Sequence, residues 1–136
     1  MQVRDIMTTR IVSVEPSSTV KDAAALMTRH NIGVVPVVES GSVRGMLTDR
    51  DIVLRCVAEN KNPGNLKVAD ICSQGAVSVR PDEDVADAVH LMSAEQVRRL
   101  PVVENGRVVG MLSFADIARE KTGMEVAEAI SEISMP

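Results

Sequence analysis

The chain has 136 residues, 45% of them apolar, with a single Phe and neither Trp nor Tyr. That suffices for one compact domain, or two very small ones sharing a core, built from Val, Ile, Leu, Met and Ala. A net charge of −4 and the missing stacking rings exclude a general nucleic-acid binder, although a local basic site stays open.

Met1-Gln2-Val3-Arg4-Asp5-Ile6 lacks the cationic-then-apolar order of a signal peptide. No apolar run approaches the roughly 20 residues of a membrane helix. We therefore expect a cytoplasmic protein without a membrane partner. Cys56 and Cys72 are too few for a disulfide framework and read as buried or idle thiols.

Setting Val3 on Val68 and running without a gap to Arg55 on Glu120 gives 23 identities in 53 positions. A match of that density marks an internal repeat. Each repeat predicts a strand, a helix, a hairpin and a second helix. In chain order, Ile11–Val14 is a β-branched run stopped by Pro16. Thr19 has the place of an N-cap, with Asp22 three residues on; Asp84 and Asp87 repeat it. Val20, Ala23, Ala24 and Met27 then mark one helical face. Val34–Val38 and Val43–Leu47 predict strands around a Gly-containing turn, and Pro36 inside the first predicts an edge or a bulge. Thr48 and Ser113 stand where they cap each second helix.

The organisation read from this is repeat 1 over 1–58, a turn-rich linker over 59–67, repeat 2 over 68–122 and a tail over 123–136. In the tail, Val126, Ala129, Ile130 and Ile133 predict a short amphipathic helix within Met124–Ile133. Met7, Met27, Met46, Met92 and Met111 read as core fill. One repeat is too small to cover its own sheet, so the expected fold is α/β (α+β): two βαββα repeats packed sheet to sheet with a pseudo-twofold. Clefts between such units are where small ligands bind.

Two segments carry chemistry. Thr48-Asp49-Arg50-Asp51 and Ser113-Phe114-Ala115-Asp116 each follow Gly-Met-Leu, open a helix, and set a hydroxyl and a carboxylate three apart. The carboxylate suits a ribose diol, and the hydroxyl with the free helix N–H groups suits a phosphate. The same spacing is also a plain capping pattern, and both readings stand at this point. Asp49 and Asp51 have no nucleophile–base set beside them, which argues against an enzyme. His30 and His90 fall at different repeat positions and form no metal set with the cysteines.

Asp-Ile-Met-Thr, Val-Ser-Val-x-Pro, Pro-Val-Val-Glu and Gly-Met-Leu-Thr-Asp-Arg-Asp-Ile together resemble a tandem pair of cystathionine-β-synthase (CBS) domains, a Bateman module of the stand-alone bacterial type. The resemblance implies a regulatory module without catalysis, binding an adenosine-containing ligand (AMP, ADP or ATP) in one or both clefts, with no cofactor required. The other reading is an interaction and dimerisation module with vestigial clefts. For the first cleft the resemblance implies Asp51 on the ribose, Thr48 on the phosphate or ribose, Met46 and Val77 at the base, and Arg98 and Arg99 at the phosphates. For the second it implies Ser113 and Asp116, Thr9 and Val12 near the base, and Gly33 and Val34 where the first has its arginines, with Arg50 as a substitute cation. The second cleft is thus the weaker one for an anion. The partners implied are the adenosyl ligand, a second copy of the chain and a regulated protein; Ile52, Val53, Ala58, Ile117 and Ala118 are read as apolar surface on the second helices for that copy.

Overall fold

The structure, a computed structural model, describes residues 1–75 and 77–120. The helix expected within Met124–Ile133 lies outside the described residues. The chain divides into two compact units. One takes Val12–Ala76; the other takes Met1–Ile11 with the described part of Val77–Pro136.

In the first unit the chain forms helix α1 (Val20–His30), strands β1 (Val34–Glu39) and β2 (Ser42–Thr48), helix α2 (Asp49–Ile52) running into a π-helical turn (Val53–Val57), helix α3 (Val68–Ile71) and strand β3 (Ser73–Gln74). The Thr19 hydroxyl accepts the Asp22 N–H at 3.1 Å, as its sequence position predicts. Val20, Ala23 and Met27 bury the expected face of α1, with Ala24 half-buried. The sheet order is β1-β2-β3, antiparallel. Ser40 and Gly41 both take positive φ, 53° and 84°, which is a two-residue turn matched to strand twist. The register of β1 on β2 shifts between Val37 and Val38, one residue past Pro36.

Ile11–Val14 does not become a strand. Val14 alone bridges to Val37 in parallel: its N–H donates to Pro36 O at 3.1 Å, and its carbonyl accepts from Val38 N–H at 2.8 Å. The next donors of a parallel ladder are the nitrogens of Pro36 and Pro16, which carry no hydrogen. The two prolines therefore cut the ladder to one bridge. Val79 bridges Val102 between Pro81 and Pro101 in the same way.

The second unit repeats the pattern with α4 (Val85–Glu95), β4 (Arg99–Glu104), β5 (Arg107–Ser113) and α5 (Phe114–Glu120). Asp84 caps α4 by accepting from Ala86 N–H at 2.8 Å. Asn105 and Gly106 repeat the positive-φ turn.

The segment that opens each repeat packs in the other repeat's unit. Val3 is fully buried with Val85, Met92 and Leu112; Val68 is fully buried with Val20, Val35 and Leu47. Backbone bonds fix each: Val68 N–H to Ser18 O at 2.8 Å, and Val3 N–H to Glu83 O at 2.9 Å. Gly45 permits the first arrangement, because a Cβ there would lie 2.0 Å from Ser73 O. Among the methionines, Met27 and Met92 are core, while Met7, Met46 and Met111 are half-buried. Both cysteines are buried and free. Ile117, read as surface, is 1% exposed and belongs to the second core.

Candidate functional site

The hairpin β1–β2 and the helix start that follows it bring Gly33, Val34, Met46, Thr48, Arg50 and Asp51 to one end of the first unit. Val34 pairs with Thr48 across the hairpin, and Asp49 N–H donates to Gly33 O at 2.9 Å. Val12 packs, partly buried, against the core of that unit. The second unit gathers Arg98, Arg99, Ser113 and Asp116 in the same manner: Arg99 pairs with Ser113, and Phe114 N–H donates to Arg98 O at 2.7 Å. Val77 packs partly buried on the second core, and exposed Thr9 follows Thr8, which bridges Met111. The residues expected at each cleft are thus drawn from both units.

Both hydroxyl–carboxylate pairs are capping boxes. Thr48 Oγ1 accepts Asp51 N–H at 3.0 Å, and Asp51 Oδ2 accepts Thr48 N–H at 2.9 Å. Ser113 Oγ accepts Asp116 N–H at 3.1 Å, and Asp116 Oδ2 accepts Ser113 N–H at 2.9 Å. Each pair satisfies two backbone donors at a helix start that would otherwise lack partners. The difference lies in the remaining carboxylate oxygen. Asp116 Oδ1 holds the Arg119 guanidinium, and Asp116 is 6% exposed. The matching position in the first repeat is Leu54, which has no donor; Asp51 is half-buried and its Oδ1 accepts no hydrogen bond among the described residues. The exposed side chains of Arg50, Arg98 and Arg99 have no ion-pair partner among the described residues.

Sequence reasoning missed two features here. Burial, and then the charge of Asp51, push the Cys72 thiol above its ordinary pKa; its own backbone hydrogen bond and Arg55 oppose them. Arg55 is held nearby by donating from Nη1 to Ile71 O at 3.0 Å. Cys72 sits where the other repeat has Met7, so no local signal separated it from core fill. The second is a groove of about 410 Å³ in the first unit, lined by Met27, Asn31, Gly33, Asp49, Ile52 and Val53 among others. Of the expected ligand residues only Gly33 lines it.

The family profile of the CBS domain matches residues 3–57 and again 68–123. The chain belongs to the CBS-domain family. Its two CBS repeats align over nearly full length with the CBS domain-containing protein YhcV of Bacillus subtilis: 42% identity over 133 residues, 97% of this chain and 94% of that one. Hypoxic response protein 1 of Mycobacterium tuberculosis is 31% identical over 134 residues, covering 98% and 94%. A crystal structure of Hypoxic Response Protein I with two coordinated zinc ions has a TM-score of 0.83 to this fold at 32% identity, over 90% of this chain and 100% of that one. Among the described residues here, no three His, Cys, Asp or Glu side chains come together as a metal cluster. The CBS domain pair of protein MJ0100, solved in complex with 5′-methylthioadenosine and S-adenosyl-L-methionine, has a TM-score of 0.78 at 28% identity, over 88% and 94%. No described helix is long and apolar enough to cross a membrane.

Proposed function

We propose that this CBS pair is a regulatory sensor of an adenosine-containing ligand, AMP, ADP or ATP, and that Asp51 holds the ribose. The observation that carries this is the asymmetry of the two carboxylates. Asp51 keeps an acceptor oxygen uncommitted at a half-buried place, whereas Asp116 has committed its own to Arg119. A carboxylate oxygen with open lone pairs accepts from a diol hydroxyl without first breaking a bond. The adenosyl compounds bound by MJ0100 support the ligand class. Assigning Arg98 and Arg99 to the ligand's phosphates, and Met46 and Val77 to its base, is part of the proposal, as is the weaker second site of Thr9, Val12, Gly33, Val34, Arg50, Ser113 and Asp116. Binding would favour one arrangement of the protein over another and so reach a second copy of the chain or a regulated partner.

One observation favours a different reading. The capping boxes account for Thr48 and Asp51 without any ligand. On that reading the protein is an interaction module whose sites are vestigial.

Thermal melting with adenosine, AMP, ADP, ATP and S-adenosylmethionine separates the two. A ligand at a hundred times its Kd adds about 2.7 kcal/mol to apparent stability. Arg99→Ala should weaken AMP far more than adenosine, since a charge-assisted hydrogen bond contributes roughly 1.5–3 kcal/mol. No shift with any of the five compounds supports the vestigial reading.

A further inference from the structure

The carboxylates that cap the two second helices differ in the fate of their spare oxygen, and the residue three positions on makes the difference. Asp116 and Arg119 share one face of α5, which is α-helical over Phe114–Glu120. Arg119 Nη2 donates to Asp116 Oδ1 while Ser113 N–H donates to Oδ2, so both oxygens of that acid are engaged. The Asp116 side chain is 8% exposed and that of Arg119 65%. The acid is buried, while its partner stands mostly in water.

The first repeat has Leu54 at that place, and its helix passes into the π-helical turn at Val53. The arginine of that turn, Arg55, has another acceptor: its Nη1 donates to Ile71 O at 3.0 Å. No ion pair joins it to Asp51 among the described residues. The counterpart of Arg55 in the second repeat is Glu120. Each carboxylate is thus followed by an arginine, but the two are one residue out of register. Only the one at 119 reaches its acid.

We propose that Arg119 is an ionic latch on the second adenosine site, keeping Asp116 from a ribose diol until the pair opens. The latch rests on the sensor reading above, and it adds a cause of unequal sites that lies in the helix and not in the phosphate cations. A diol hydroxyl and the guanidinium compete for Oδ1, and burial leaves little of that oxygen open to a second donor. An ion pair with one exposed member is closed roughly two-thirds of the time. The open form is then about a third of the molecules, and apparent affinity falls about threefold. Salt screens an exposed guanidinium, so the latch loosens as ionic strength rises. The two repeats respond at two ligand concentrations, Asp51 first and Asp116 later.

Calorimetry with adenosine is the test, because an uncharged ligand reads the ribose contact without the phosphates. The full chain carrying Asp51→Ala isolates the Asp116 site. In that background Arg119→Leu, which installs the residue of the first repeat, should tighten adenosine about threefold at low salt. It should leave 2′,3′-dideoxyadenosine unchanged, since that compound has no diol. Raising ionic strength from about 0.02 to about 0.5 M should tighten adenosine while Arg119 is present and have no such effect once it is replaced. With Asp51 intact, Arg119→Leu should bring the two adenosine affinities closer together. An unmodified chain that binds no adenosine overturns the sensor reading and the latch together. Adenosine binding that Arg119→Leu leaves unchanged in both backgrounds overturns the latch alone, and so does an equal gain for the dideoxy compound; the sensor reading then stands.

Discussion

Asp51→Ala and Asp116→Ala make the same chemical change at matching positions, yet the proposed function and the local packing predict opposite consequences for them. Each removes a carboxylate that accepts a backbone N–H at 2.9 Å. Ser113 and Asp116 are only 8% and 6% exposed, so water reaches the orphaned Ser113 N–H poorly. A buried unsatisfied donor costs about 1–3 kcal/mol. Losing the Arg119 pair adds about 0.5 kcal/mol or less, because that guanidinium is 65% exposed. At Thr48, half-buried, water can replace the lost acceptor, and the cost falls to about 0.5–1 kcal/mol, the low end for a lost cap. At roughly 3–6 °C per kcal/mol for a chain of this size, Asp116→Ala should melt clearly below Asp51→Ala. Calorimetry with AMP should rank them the other way: Asp51→Ala loses the ribose contact, and Asp116→Ala keeps the tighter site nearly intact. The two assays therefore have to dissociate. Equal losses of affinity, or AMP binding abolished by Asp116→Ala alone, would refute the asymmetry on which the proposed function rests.

Cys72 offers a pH test. Its thiol is raised by burial and by Asp51, so on going up in pH the unfolded chain releases that proton first. The unfolded state then binds fewer protons than the folded one, and this contribution to stability is present below the ordinary thiol range, about pH 8.5, and is lost above it. Alkylation with iodoacetamide at pH 8 should be slower in the folded protein than in urea. Asp51→Asn, which keeps an acceptor for Thr48 N–H, should speed it; an unchanged rate would remove Asp51 as a cause. Gly45→Ala brings a Cβ 2.0 Å from backbone at Ser73, while Gly110→Ala meets Met7 Sδ and Thr8 O at 2.9 Å. Urea melts should show the first costing on the order of 3 kcal/mol and the second less, in line with overpacking; the reverse order would mean that β3 is not held as described.

Much of each unit was legible residue by residue because the deciding forces are local. Thr19 and Asp84 cap helices because a short side-chain oxygen reaches free N–H groups two or three residues on. Ser40-Gly41 and Asn105-Gly106 turn because their backbones accept positive φ. The face of α1 follows from the spacing of Val20, Ala23 and Met27. The Thr48–Asp51 and Ser113–Asp116 pairs were equally visible, but spacing alone could not decide between cap and ligand contact. Tertiary structure decided three things. The prolines flanking Val14 and Val79 act on a ladder whose partner strand lies elsewhere in the chain, so the expected strands shrink to single bridges. Asp116 is committed and Asp51 open because Arg119 and Leu54, one turn along the helix, differ in what they can donate. Finally, Val3 packs in the second repeat's unit and Val68 in the first's. A chain made of near-copies does not announce that exchange, because Val3 and Val68 carry the same side chain and open matching Asp-Ile segments. The backbone bonds of Val68 to Ser18 and of Val3 to Glu83, with Ser73 and Thr8 lying against Gly45 and Gly110, tell which segment went where.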